Sequence, residues 1–223
     1  MNPRLLSPAA LLVLITLSSH AQAQGFAEPH ADTTVTSPSQ SVVMDYQLRK
    51  GMNEFGFWGG GAFKATTIFG GLRRDEAAER KYLIVGLRYG RILAASKRVA
   101  LAYTLDVIPA AVAFNSITAD PPTGFVRENV YPLGLKATFG QRRVKGFAGV
   151  TGGGLIFRKP VPLPDAGRFA FTGDADGGVQ IFTRPDRAFV LGVKFHHISN
   201  GDRTGANRGL NQFVVFAGFS VFR

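Results

Sequence analysis

The feature that most constrains this 223-residue chain is a series of long segments in which apolar and polar residues alternate. In a β-strand every second side chain faces the same side, so such alternation predicts strands with one apolar face. We identify eight segments, separated by clusters of turn-forming residues. The predicted strands span residues 52–63, 81–93, 99–113, 129–140, 146–158, 168–183, 188–199 and 211–222.

The connections between the predicted strands alternate between short and long. Three are tight basic turns around Lys97, Arg142 and Arg184. The other four are long: residues 64–80, 114–128, 159–167 and 200–210. Short turns at one end and long loops at the other are typical of outer-membrane barrels. The sequence therefore predicts an all-β fold, an eight-stranded antiparallel transmembrane β-barrel.

Seven charged residues of these strands fall on the face opposite the apolar one. If the polar face is the lumen, it holds Glu54, Asp106, Asp174 and Asp176 against Arg88, Lys136 and Lys194, which is close to charge balance. The predicted lipid-facing sets are Leu83, Val85, Leu87 and Tyr89; Leu101, Tyr103, Leu105 and Val107; Tyr131, Leu133, Leu135 and Phe139; and Leu191, Val193 and Phe195. A soluble lipocalin-like barrel is the alternative, with the two faces reversed.

The N-terminus has the pattern of a secretory signal peptide. Arg4 precedes an apolar stretch from Leu5 to Leu17, and Ala21-Gln22-Ala23 forms a small-residue cleavage site. A retained signal anchor is the alternative, but the stretch is short and Pro8 interrupts it. We predict a signal peptide at 1–23, a polar N-terminal extension at 24–50 and a barrel domain at 51–223, located in a bacterial outer membrane.

The formal net charge of +11 lies in turns and not along a helix, which argues against nucleic acid as a partner. Anionic lipid head groups or lipopolysaccharide phosphates are better counter-charges behind an export signal. The glycine runs lack the strand-to-helix context of a phosphate-binding loop, and few His with no Cys argue against structural zinc. We therefore expect neither a cofactor nor a metal. Eight strands leave no open channel, which disfavours a porin.

Chemistry is concentrated at the end of the seventh predicted strand. By alternation His197 and Ser199 share the lipid-facing side, where polar groups are costly. One interpretation is a nucleophile with its base, in which Ser199 attacks a carbonyl and His197 accepts its proton. Residues at i and i+2 meet only with help from rotamers or a bulge. The other interpretation is that both are polar residues at the membrane interface.

The C-terminal region resembles a known family. The segment His197-Ile198-Ser199-Asn200-Gly201, followed by Asn207-Arg208-Gly209-Leu210 and a closing strand ending Phe219-Ser220-Val221-Phe222, is similar to the PagL-type lipid A 3-O-deacylases. The resemblance is strongest over residues 188–223. It implies an eight-stranded outer-membrane barrel that removes an ester-linked acyl chain from lipid A, using a Ser-His-Glu triad on its outer surface.

Carried over by position, the resemblance makes Ser199 the nucleophile and His197 the base. The family's Glu corresponds to Asn211, which retains the geometry for orienting His197 but lacks the charge, so weakened activity is expected. Asp202 is a possible substitute carboxylate. The remaining candidates are Asn200 and Gly201 for the oxyanion site and Arg203 and Arg208 for lipid A phosphates.

The sequence thus leaves two functions open. The first is an outer-membrane serine esterase acting on lipid A or a related glycolipid, and the second is a non-catalytic structural or lipid-binding barrel. A monomer and a homodimer are both compatible with the sequence.

Overall fold

The computed structural model describes residues 45–69, 71, 80–115, 126–158, 160, 167–203 and 209–223. Within these ranges no helix is long and apolar enough to cross a membrane. The strands are β1 (Asn53–Ala62), β2 (Ala65–Thr66), β3 (Arg80–Ala95), β4 (Val99–Asn115), β5 (Val126–Phe139), β6 (Val144–Phe157), β7 (Phe169–Arg184), β8 (Arg187–Ser199) and β9 (Leu210–Phe222).

The long strands form a closed antiparallel ring of eight. Each pairs with its neighbour along the chain, and β1 also pairs with β9, from Glu54↔Phe222 to Gly61↔Val215. The two-residue β2 continues beside β9 after a short break in β1. The predicted eight-stranded barrel is therefore confirmed. The predicted signal peptide at 1–23, and the extension as far as residue 44, lie outside the described residues.

The predicted outward faces are confirmed along β3, β4 and β8, where apolar side chains at alternate positions are exposed. The prediction was wrong for Tyr131, which is fully buried in the lumen. The pairing of β5 with β6 shifts between Val130 and Leu133, so the alternation slips there and both Pro132 and Leu133 face outward. Proline at a bulge is expected because it cannot donate to the ladder.

The seven charged residues predicted for the lumen all lie there. Arg88 binds Asp106 through two hydrogen bonds of 2.7 Å, and Lys136 pairs with Glu54. Lys194 lies 2.8 Å from Asp174 and 3.7 Å from Asp176. Buried charges persist only when they are paired, and each of these seven charges has an oppositely charged partner within the lumen.

Apolar side chains fill the rest of the lumen. One cluster surrounds Trp58, Tyr82 and Phe216. A second closes the end that carries the short turns, where Phe182 stacks on Phe222 with ring centroids 5.3 Å apart. Leu48 is buried in this second cluster, so the chain just before β1 packs against the end of the barrel that carries the short turns.

Candidate active site

The ends of β8 and β9 place His197 and Asn211 directly opposite each other on the outward face. They are partners across the antiparallel pair, and His197 Nδ1 lies 2.5 Å from Asn211 Oδ1. The sequence therefore located both residues on the correct face. Asn211 is only 1% exposed, however, whereas an outward side chain on a bare barrel wall would meet lipid.

Asn211 is covered by the segment that follows β1, residues 65–69 and Gly71, which we call the strap. Thr66 pairs with Asn211 in the two-residue strand β2, and the carbonyl oxygen of Ile68 accepts a 2.9 Å hydrogen bond from Asn211 Nδ2. The next residue, Phe69, has a left-handed backbone (φ 63°), and its ring packs edge-on against Phe195. The sequence predicts only a long connection at residues 64–80, and no residue pattern there indicates that this segment covers Asn211.

The Ile68 carbonyl determines which way the Asn211 amide points. If the amide were flipped, its oxygen would face another oxygen, so the amide nitrogen must be at Ile68 and the amide oxygen at His197. An amide oxygen only accepts, so His197 Nδ1 carries the proton. The other ring nitrogen, Nε2, is then left with the lone pair that a general base requires.

Two glycines allow the strap and the imidazole to approach β9 closely. A Cβ on Gly71 (φ 100°) would lie 2.6 Å from the Gly209 carbonyl oxygen. A Cβ on Gly209 would lie 2.9 Å from His197 Cε1. Both positions therefore require glycine for the geometry observed. A glycine at position 71 is visible in the sequence, but no local pattern indicates that Gly71 packs against Gly209.

Ser199 is the last residue of β8 and is half-buried on the same outward face as His197. It pairs with Phe171 on β7, whereas the pairing of β8 with β9 ends one residue earlier, at Ile198. Among the described residues no hydrogen bond joins Ser199 Oγ to His197. Residues two apart in a strand are separated by about 7 Å at Cα, so contact requires the free strand end to turn.

The turn after β8 holds the other predicted residues. Asn200 is buried, and its side-chain oxygen accepts a 2.9 Å hydrogen bond from the Asp202 N–H. Gly201 and Asp202 both have left-handed backbones, with φ of 64° and 59°. The structure does not bring the Asp202 carboxylate to His197, whose Nδ1 is occupied by Asn211. Asp202 is therefore not the residue that orients the imidazole in this structure.

Arg203 lies over the outer wall beside Ser199. Its guanidinium carbon is 6.0 Å from the ring centroids of both Phe169 and Phe171, and Phe171 is the strand partner of Ser199. The arrangement holds a cation at the top of the lipid-facing surface, next to the proposed nucleophile. Arg208 lies outside the described residues.

The neighbouring His196 has a different environment. It faces the lumen, where Nδ1 lies 2.5 Å from Asp174 Oδ1 and its ring stacks on Tyr82. His196 and His197 are adjacent in β8, so alternation places them on opposite faces of the strand. In the part of the chain that the structure describes, no three His, Asp or Glu side chains are grouped as metal ligands would be.

A family model and a solved structure both match this chain to the same kind of outer-membrane protein. The family model described as lipid A 3-O-deacylase (PagL) matches residues 85–220, more than half of the chain. The crystal structure of the outer membrane enzyme PagL matches with a TM-score of 0.52 and 12% identity, covering 74% of this chain and 97% of that one.

Two further outer-membrane structures show weaker likeness. Neisserial surface protein A has a TM-score of 0.44 and 13% identity, over 77% of this chain and 97% of its own. The N-terminal barrel domain of Pseudomonas aeruginosa OprF has a TM-score of 0.45 and 10% identity, over 79% and 100%. A comparison with curated proteins finds no match.

Proposed function

This chain belongs to the lipid A 3-O-deacylase (PagL) family and is a β-barrel of the bacterial outer membrane, and from that premise we propose that it is a serine esterase. Its substrate is an ester-linked acyl chain of lipid A or of a related glycolipid. The observation that carries the proposal is the hydrogen bond from His197 Nδ1 to an Asn211 amide whose orientation the strap determines.

In the proposed reaction Ser199 Oγ attacks the ester carbonyl carbon and its proton passes to His197 Nε2. The tetrahedral intermediate collapses when the same nitrogen gives that proton to the sugar oxygen, which leaves as an alcohol. Water then attacks the acyl-enzyme, again with His197 as base, and releases the fatty acid and free Ser199. Asn211 keeps the imidazole in the tautomer that these reaction steps require.

The outward placement of these residues suits an acylated substrate. Acyl chains lie in the bilayer, and a lumen filled by side chains cannot admit them. We expect Arg203 to pair with a phosphate of the glycolipid, because its guanidinium packs over Phe169 and Phe171 at the upper edge of the apolar wall. Asn200 and Gly201 remain our candidates for the oxyanion site, through the main-chain N–H groups of the turn that they form.

The second candidate function is a barrel that kept the fold and lost the chemistry. Asn211 favours it, because an amide orients an imidazole but cannot stabilise the imidazolium that forms during turnover as a carboxylate does. Under this alternative Ser199 and His197 are only polar residues near the membrane interface.

Lipid A mass spectra separate the two functions. The wild type, Ser199→Ala and the control Ser96→Ala, which changes a serine in a turn at the opposite end, are produced in an outer membrane that bears lipid A. We expect loss of one acyl chain with the wild type and with the control, and full acylation with Ser199→Ala. Fully acylated lipid A with all three proteins, each shown to be folded by heat-modifiable gel mobility, would refute the esterase proposal and support the non-catalytic barrel.

A further inference from the structure

Exposed cations surround the end of the barrel that carries the short turns. We call them the basic collar: Lys50, Arg91, Lys97, Arg98, Arg142, Arg143, Arg184, Arg187 and Arg223. Arg49 is not included because its guanidinium donates a 2.8 Å hydrogen bond to the Asp45 carboxylate. The Gln47 N–H and then the Arg49 guanidinium lower the pKa of Asp45, so this carboxylate stays charged. Asp186, 3.5 Å from Arg187, is the other acidic side chain that accompanies the collar in the described chain.

The collar directly continues the lipid-facing surface. On β8 Arg187 precedes the exposed Phe189 by two residues, and on β3 Arg91 follows the exposed Tyr89 by two, so each cation shares the outward face of its aromatic neighbour. Phe189 packs on Phe219 across the pair of strands with centroids 5.4 Å apart. Exposed aromatic residues of this kind mark the edge of the apolar band in outer-membrane barrels. The collar therefore lies at the level of lipid head groups.

Some of the collar is held in place by its neighbours. Asn53 Oδ1 accepts hydrogen bonds from Arg91 Nη1 at 2.9 Å and from the Tyr89 hydroxyl at 3.0 Å. A cation and an aromatic residue are thus held by one amide at the foot of β1 and β3. Less side-chain entropy is then lost when Arg91 binds an anion.

The collar and the candidate active site lie at opposite membrane surfaces. β8 runs from Arg187 to Ser199, 13 residues. At about 3.3 Å per residue and a tilt of about 40°, these two ends are about 30 Å apart along the barrel axis, which is close to the thickness of the hydrocarbon core. A lipid whose ester reaches Ser199 therefore does not place its phosphates at the collar.

We propose that the basic collar binds the phosphate groups of anionic glycerophospholipids in the leaflet opposite the active site. Clustered Lys and Arg at a membrane surface attract anionic lipids, and a guanidinium can bind a phosphate through two parallel hydrogen bonds. Binding there fixes the depth of the barrel in the bilayer, and hence the level at which Ser199 meets its surroundings. The collar extends the outer wall around the barrel, which fits a ring of lipids better than a single macromolecule.

The test is native mass spectrometry of the folded protein in neutral detergent, titrated with phosphatidylglycerol or phosphatidylethanolamine carrying identical acyl chains. The collar variant is Lys97→Gln/Arg142→Gln/Arg187→Gln. The matched control, Lys64→Gln/Lys81→Gln/Arg168→Gln, removes the same charge at the long-loop end. We expect the wild type and the control to prefer phosphatidylglycerol. The collar variant should bind it about fivefold more weakly for each cation that contacts the phosphate.

Equal binding of the two lipids by the wild type would overturn the proposal. So would an equal loss in both triple variants, because total charge and not the collar would then control binding. Co-sedimentation with isolated peptidoglycan that only the collar variant loses, without any lipid preference, would assign the collar to an anionic glycan and also overturn it. None of these outcomes depends on esterase activity, so failure of the proposed function and failure of this inference are distinguishable.

Discussion

Asn211→Asp provides a sharp test of the strap, because it supplies a carboxylate where the family pattern has Glu and yet should weaken the fold. In the variant a carboxylate oxygen replaces Nδ2 at 2.9 Å from the Ile68 carbonyl oxygen. Losing a hydrogen bond and leaving its acceptor unpaired costs about 1–3 kcal/mol. Half a negative charge on each oxygen at that separation adds about 1.4 kcal/mol at an effective dielectric constant of about 20.

We therefore expect the free energy of unfolding to fall by about 3 kcal/mol. The assay is urea unfolding at pH 8 of the barrel refolded in zwitterionic detergent. It is followed by the fluorescence of Trp58, the single tryptophan, which is buried in the lumen, and by gel mobility.

The matched control is Asn53→Asp. The Asn53 side-chain oxygen accepts hydrogen bonds from Arg91 and Tyr89, so a carboxylate there is tolerated and the unfolding midpoint should stay the same or rise. An Asn211→Asp variant as stable as the wild type, or one that shifts as Asn53→Asp does, would refute the assignment of the Asn211 amide orientation to the Ile68 carbonyl.

Three further changes have defined outcomes. Gly209→Ala places a methyl group 2.9 Å from His197 Cε1 and should lower lipid A turnover at least tenfold in a folded barrel. The control Gly146→Ala, whose Cβ lies 4.0 Å from its nearest neighbour, should leave turnover unchanged, and equal turnover by the two variants would show that the position of the His197 ring is unimportant. Asp174→Ala leaves Lys194 and His196 without their shared carboxylate and should lower the free energy of unfolding in urea titrations by about 3–5 kcal/mol. A decrease of less than about 1 kcal/mol would show that these ion pairs do not stabilise the barrel. Arg203→Gln should raise KM for phosphorylated lipid A more than it lowers kcat, and an unchanged KM would remove Arg203 from the phosphate site.

The sequence determined the wall of the barrel because alternation is a local property. A residue's face follows from its neighbours two positions away, so the lumenal Asp174 and Lys194 and the outward His197 and Asn211 could be predicted without knowing the fold. Alternation gave the wrong face for Tyr131. A bulge shifts the alternation by one residue, and alternation alone does not show where a bulge falls.

The tertiary structure alone decided what surrounds His197. The group that orients Asn211 is a main-chain carbonyl 143 residues earlier in the chain, and every residue carries such a carbonyl, so no residue type marks it. That carbonyl reaches β9 because the strap folds back over the barrel wall, a path set by long-range packing of Phe69 on Phe195 and by the space left at Gly71 and Gly209. Alternation along β8 and β9 placed His197 and Asn211 together on the outer face, and only closure of the ring brought Asn211 the carbonyl that fixes the orientation of its amide.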